Sequence, residues 1–482
     1  MKSAQTALAR LDHRYVWHPF TQMRDWLRRP PIIIVDGSGA LLRDAAGREY
    51  LDANSSIWTN LHGHAHPGIN AALRRQLKKI AHSSALGLGN EPASLLAQKL
   101  IQSARRPRAP SLPARSARPQ LARVFFSDDG STAMEVALKL AFQFALRTGR
   151  SRDPKFLCLD SAYHGDTVGA VSLGHIDLFH QSYAGLLFKT GKVMSPYCYR
   201  CPFNRAQPER ADARDYRRCH WECVGKVEQK FAARKKQGDP FSAFVFEPLI
   251  QGAAGMIPQP SGWLGRVAQI ARGHGAQLIA DEVMTAFGRA TVLAPSLLAC
   301  HQENVHPDYA ALAKGLTGGC LPLAATLATR EVFEAFLGEY GEFKTFFHGH
   351  SFTGNQLGAA AALASLEILD SPASLAARVT LEKTMREELT TLWPLPQVGD
   401  IRQVGLVAGV ELVKNWKTRQ PWPLRAQAGI RVCAAMARRG VLTRPVGNVI
   451  VLMPPYCTTR IQAQKMVRAL GEAIGETLGK GG

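Results

Sequence analysis

The sequence predicts an α/β protein: a large domain built on a mostly parallel sheet, followed by a smaller α+β domain. Three observations predict it. Short apolar runs recur, each closed by a polar residue; stretches of helical periodicity lie between them; and the chain changes character after Pro372. Runs of that length suit strands buried on both faces, and strands alternating with helices imply parallel pairing. In open α/β sheets ligands meet the carboxyl ends of strands. The polar residue closing each run is therefore a candidate for a binding site.

The chain opens with an aromatic-rich segment over residues 15–23, which includes Trp17, His18 and Phe20. It reads as an arm that packs on the core or lays its rings over a ligand. Residues 32–35 and 39–44 read as paired strands around a turn at 36–39. Trp58 follows, then His62, His64 and His66. Those histidines lack the acidic partners of a metal site and read as loop residues. Residues 69–81 read as a helix. Residues 105–119 are rich in proline and arginine with almost no apolar content, the composition of a flexible insertion.

Residues 124–126 form the first strand of the large domain. Residues 127–132 (SDDGST) turn out of it, and residues 133–146 place Met134, Leu138, Ala141 and Ala145 at helical spacing. A strand, a glycine turn and a Ser/Thr-capped helix leave backbone N–H groups and the positive end of the helix dipole facing outward. That arrangement cradles a phosphate, and it is also the signature of an ordinary N-cap. The next strands span 156–159, which run into SAYHGDT, and 243–246, closed by Glu247. Two more follow: 277–280, closed by Asp281, and 311–313, closed by Lys314. A lysine that forms a Schiff base, with an acid at a pyridinium nitrogen, is the pairing a pyridoxal-phosphate enzyme needs. Asp281 and Lys314 stand where the two would face one crevice.

Between the second and third of these strands lie Cys198, Cys201, Cys219 and Cys223. Two close cysteine pairs suit zinc. Here the second pair is more widely spaced and the stretch between lacks core-forming residues. The four read as free thiols in a mobile insertion (198–223), and no metal is assigned. Residues 344–355 are polar, aromatic and glycine-rich ahead of a helix over 356–369. They read as a capped helix start or as phosphate donors reaching a neighbouring subunit. Past Pro372 come a helix, strands at 399–402 and 405–412, a helix ending at Arg439, and strands at 441–445 and 449–453. Arg444, closing a strand before Pro445, is a candidate carboxylate clamp.

Composition narrows the function classes. Lys and Arg number 59 against 38 Asp and Glu, a formal charge of +21, yet no nucleic-acid motif or aromatic-interleaved basic stripe accompanies it. Nine cysteines in a chain this large point to a reducing compartment. Residues 1–17 carry no signal-like apolar core, and no run reaches membrane-spanning length. A soluble cytoplasmic protein with no nucleic-acid or membrane partner is expected.

Taken together, the segments 127–131, 163–167, 280–282, 287–289 and Lys314 with 317–319 resemble the class-III, fold-type-I aminotransferases that use pyridoxal 5'-phosphate. The likeness runs through nearly the whole chain. Segments 17–23 and 348–355 further resemble the branch that aminates 8-amino-7-oxononanoate in biotin synthesis. The resemblance implies a seven-stranded large domain (55–370) and a small domain drawn from both termini (1–54 and 371–482). It implies Lys314 as the covalent cofactor lysine and proton carrier, and Asp281 at the ring nitrogen. Tyr163 would stack on the ring, and Gly130 and Ser131 would hold the phosphate. His350 and Ser351 would complete that site from a partner, making a homodimer. Phe20, Trp58, Tyr163, Lys314, Gly349 and Arg444 fall at substrate-contacting positions, with S-adenosylmethionine as donor. Four departures stand out. Phe20 occupies a position where tyrosine is common, and a ring still stacks there without its hydroxyl. Ile57 replaces one of a tryptophan pair, His350 stands where some members have proline, and Asp129 replaces a serine near the phosphate. The Phe20/His350 pattern resembles the branch that takes its amino group from lysine. Another ω-aminotransferase, or an aminomutase of the semialdehyde type, is the remaining alternative.

Overall fold

The computed structural model describes residues 2–105, 119–292 and 296–479. Its central sheet has seven strands: β1 (Leu121–Ser127), β2 (Lys155–Leu159), β3 (Gly191–Val193), β4 (Phe241–Phe246), β5 (Gln277–Asp281), β6 (Tyr309–Leu312) and β7 (Ala324–Thr329). They lie in the order β1-β7-β6-β5-β4-β2-β3. Strand β7 is antiparallel to both its neighbours, and the other four pairings are parallel. The apolar runs are continuous because both faces are covered. Leu278, Ala280, Ala310 and Leu312 join one core cluster; Ile279, Tyr309 and Ala311 join a second with the helix Gly130–Arg147. A one-residue slip would exchange the two sets, so register is fixed by packing on both sides.

The helix Gly130–Arg147 starts three residues earlier than its apolar spacing suggested, and its cap is a correction. Asp129, not a serine or threonine, is the N-cap. Its extended backbone lets Oδ1 accept from the Thr132 N–H at 2.9 Å, while Thr132 Oγ1 accepts from the Asp129 N–H at 2.9 Å. This reciprocal pair satisfies two helix-end donors, and it accounts for a carboxylate in this turn.

Two smaller sheets carry the rest. Ile34–Ser38, Leu41–Asp44 and Glu49–Asp52 are joined by Val441–Leu442, which pairs in parallel with residues 51 and 52, so both ends of the chain meet in one sheet. The expected turn at 36–39 is corrected: Gly37 and Ser38 pair within the strand, and the turn is Gly39-Ala40, with Gly39 at φ +56°. Gly37 is there for closeness, since a Cβ would come within 3.0 Å of His64 Cβ. The helix read over 69–81 spans Pro67–Leu77, with His66 Nδ1 accepting from the Gly68 N–H at 3.2 Å and proline in the first turn. The last sheet pairs Val398–Val404 with Val407–Asn415, then Val449–Leu452 and Pro445–Val446; Arg444 lies just outside the strands expected to contain it.

Arg402 ties this last sheet to the large domain. It is fully buried; Nε and Nη2 donate to the Gly255 carbonyl at 3.1 and 2.6 Å, and Nη1 to Asp400 at 2.9 Å and Glu411 at 2.7 Å. The cysteine-bearing insertion grips the same sheet: Arg200 Nε donates to Glu411 at 2.8 Å, Arg210 to the Val398 carbonyl at 2.5 Å and Arg214 to the Gln403 carbonyl at 2.8 Å. It is a packed segment, against the expectation of a mobile one. The proline- and arginine-rich insertion falls, over 106–118, outside the described residues. Among the described residues no helix is long and apolar enough to cross a membrane.

Candidate active site

A cavity of about 490 Å³ opens where β1, β2, β4, β5 and β6 end. Asp281 is the last residue of β5 and Lys314 lies two residues past β6; both line it. Asp281 Oδ2 is 2.7 Å from His164 Nδ1, and Oδ1 accepts from the Val283 N–H at 3.1 Å. The buried His164 leaves Nε2 without a partner. Glu247, next after β4, accepts from the Gly252 N–H at 2.7 Å and the Tyr163 N–H at 3.4 Å. Burial lifts its carboxyl to about 7; Asp281 adds to the rise, and His164 with the two amides opposes it.

Lys314 makes no hydrogen bond or ion pair with any described residue, and its Nζ lies 5.4 Å from the Trp58 ring centroid. Burial holds its ammonium below the usual lysine range, with Asp281 and Glu247 pulling the other way. Lowering the ammonium's proton affinity enlarges the share of neutral, nucleophilic amine.

Gly130 and Ser131 line the cavity at the start of their helix, and their N–H groups find no acceptor among the described residues. Ser131 Oγ accepts from the Asp166 N–H at 3.1 Å. The loop after β2 presses on this helix end. Gly165 has φ +124°, and a Cβ there would sit 2.2 Å from Ser131 Oγ. Free amides at the positive end of a helix make an anion cradle.

The wall carrying Trp58 is wound the wrong way. Ser55, Ser56, Ile57 and Trp58 all have φ between +47° and +72°, a left-handed turn without glycine that costs roughly 1–2 kcal/mol per residue. Asp52 holds it by accepting from the Asn54 and Ser56 N–H groups and the Ser56 hydroxyl, and Ser55 Oγ donates to the Met453 carbonyl at 2.7 Å. Ile57 and Trp58 thereby face the cavity.

Tyr163 also lines the cavity, its hydroxyl donating to Asp166 Oδ2 at 2.7 Å. Burial, then Asp166, raises its phenol well above the usual range. Phe20 stands outside but connects to it: its ring is 5.3 Å edge-on from Phe179, which is 6.5 Å from Tyr163. Arg444 Nη2 donates to the Phe20 carbonyl at 3.0 Å, so these two expected residues meet each other without lining the cavity. Gly349, His350 and Ser351 do not line it either. His350 Nδ1 is 3.3 Å from Asp128 Oδ2 of the same chain, and the Ser351 carbonyl accepts from His82 at 3.0 Å.

Sequence reasoning left His164, Glu247, Asp166 and Phe179 unassigned. The first three carried a usable signal, since each follows a strand that ends at the cavity; Phe179, in a four-residue helix, carried none. Elsewhere, Cys198, Cys201, Cys219 and Cys223 prove to share one small cavity. Burial raises the Cys198 thiol to about 12 and Cys223 to about 11, each raised further by neighbouring thiols.

An enclosed amine, a histidine-braced carboxylate opposite it and an anion cradle beside both together suit a phosphorylated carbonyl compound. The chain matches the family model described as aminotransferase class-III over residues 23–474. It is 44% identical over 468 residues, 97% of each chain, to the adenosylmethionine-8-amino-7-oxononanoate aminotransferase of Geobacter sulfurreducens. The crystal structure of the protein of that name from Methanocaldococcus jannaschii is similar with TM-score 0.87 and 38% identity, covering 98% of this chain and 99% of that one. An ω-transaminase from Pseudomonas jessenii in complex with PMP gives TM-score 0.86 at 25% identity, covering 98% and 100%.

Proposed function

This chain belongs to the class-III aminotransferase family, and from that premise we propose that it transfers an amino group from S-adenosylmethionine to 8-amino-7-oxononanoate, giving 7,8-diaminononanoate for biotin. It is a pyridoxal-phosphate-dependent aminotransferase, and that cofactor, when bound, supplies the electron sink the transfer requires. The residues fit the group: free amides at a helix end for its phosphate, an unpaired amine for its aldehyde, and a braced carboxylate for its ring nitrogen.

Lys314 Nζ holds the cofactor and, when free, takes a proton from the substrate's amine-bearing carbon and later returns one. Its lowered proton affinity favours the neutral amine. Asp281, braced by His164 and the Val283 amide, keeps the ring nitrogen protonated. Gly130 and Ser131 bind the phosphate. Tyr163 would stack on the ring, and Trp58 would wall the substrate. Arg444, beside Phe20, takes the acceptor's carboxylate, and Gly349 lies along its path. His350 and Ser351 reach the phosphate of a second copy, so the enzyme is a homodimer with shared sites, working in the cytoplasm on small molecules. Domains are taken as 55–370 for the large cofactor-binding domain and 371–482 with 1–54 for the small domain.

The observation that carries this reading is the enclosed, unpaired Lys314 facing Asp281 in a chain matched end to end by relatives of that name. Phe20, without a tyrosine hydroxyl, favours lysine as donor in a second reading. To test both, cofactor-loaded protein is mixed with S-adenosylmethionine or lysine alone while its visible band is followed. Bleaching by S-adenosylmethionine, then diaminononanoate on adding acceptor, is expected. Bleaching by lysine alone transfers the donor role. A band that neither amine alters overturns the reading.

A further inference from the structure

The four cysteines of the insertion take no part in this chemistry, yet the fold gathers them. Cys198, Cys201, Cys219 and Cys223 line one cavity of about 10 Å³, closed over by Trp221 and Pro260. In sequence they form two close pairs separated by 17 residues, the spacing with which thiolates hold a structural zinc. Such a staple would add to what holds the insertion. Between residues 195 and 221 its regular structure is a single 3₁₀ turn, Cys198–Arg200, and its own buried cluster is Cys198, Tyr199 and Ala213. A core that small contributes little, and the insertion otherwise holds through Arg200, Arg210 and Arg214 on the small sheet.

We propose that these four thiols bind one zinc ion, which locks the insertion so that Arg200, Arg210 and Arg214 hold the small sheet against the large domain. Among the described residues no group of three or more such side chains stands where it could hold a metal ion as it is, so binding itself must draw the four thiols in. Arg217 now donates to Cys219 Sγ at 3.1 Å. On binding, four S–H bonds break, four protons leave to solvent and four Zn–S bonds form. The resulting site carries a net charge of −2, and Arg217 at its edge offsets part of it. No oxidation is involved, and all nine cysteines are free thiols in the structure.

The test is metal analysis of full-length protein made in zinc-supplemented medium and purified without chelator. About one zinc per chain is expected, falling below about 0.1 in Cys201→Ser/Cys219→Ser. Thermal midpoint should drop by about 3 °C or more in that variant. If the variant does not fold, cobalt is titrated into the wild-type chain stripped of metal, where thiolate-to-metal charge-transfer bands are expected. Zinc-free wild type with four reactive thiols overturns the proposal. So does an intact mass about 4 Da low, which marks two disulfides, zinc retained by the double variant, or cobalt titration without those bands.

Discussion

Two cations of this molecule, the buried Arg402 and the half-buried Lys314, are handled in opposite ways. Every nitrogen of Arg402 is used, and although burial works against its charge, Tyr197, Glu411 and Asp400 raise its proton affinity well above the usual range. Lys314 feels four carboxylates, Asp281, Glu247, Asp129 and Asp166, with a hydrogen bond to none of them, and burial wins. The difference separates structure from chemistry: a buried charge satisfied on all sides holds elements together, while one left unsatisfied is available to react. The two are also coupled through one loop. The Gly255 carbonyl anchors Arg402, and Ala253, two residues earlier, lines the cavity.

The comparison breaks first at Lys314. Lys314→Ala should lower kcat/KM by more than about 10³-fold with a nearly unchanged unfolding midpoint, because only the contact over the Trp58 ring is lost and no hydrogen bond or ion pair with a described residue. Steady-state kinetics beside thermal melting checks it, and a destabilised variant would mean the lysine is structural after all. Arg402→Ala should do the reverse, costing about 3–5 kcal/mol by stranding Asp400 and Glu411, while the folded fraction keeps its kcat. Denaturant titration decides, and a stable but slow variant would erase the distinction.

Glu247 sharpens the contrast, being a buried carboxyl with only partial satisfaction. Its folded value of about 7 lies above the ordinary 4.5. Its contribution is therefore fully present below pH 4.5 and is lost as pH rises through 7. Glu247→Gln removes that dependence. Relative to wild type the variant should gain stability between pH 5 and pH 8, by about 2–3 kcal/mol, as read from melting curves at both values. Asp129→Ala should cost about 1 kcal/mol of helix capping and, by removing a negative charge near the phosphate, leave cofactor affinity equal or tighter. Fluorescence titration with pyridoxal phosphate checks the second half. Smallest of all, Ile57→Gly should stabilise by about 1 kcal/mol, the relief of left-handed strain less the entropy glycine adds; a loss of stability would show the turn to be relaxed.

Asp281 and Lys314 were legible because a strand buried on both faces rarely admits a charged residue before it ends, so the first one marks the sheet's edge. The Asp129 cap was legible in principle, since aspartate caps as well as serine, but SDDGST offers several oxygens and geometry alone picks one. Gly37 misled because a glycine in a strand and a glycine in a turn look alike until His64 is seen against it. The left-handed run at Ser55–Trp58 was invisible: nothing in SSIW favours positive φ, and contacts from Asp52 and Met453 impose it. The cysteine spacing was legible, but their meeting at one cavity depends on Pro260 and Trp221 closing over them.

That backward turn has an evolutionary consequence. Glycine or asparagine at positions 55–58 would relax the backbone, so a population selected for heat tolerance is pushed to collect them there. The same changes strip Ile57 and Trp58 from the wall beside Lys314. Endurance and substrate choice thus pull against each other at Ile57 and Trp58, the two of the four that line the cavity.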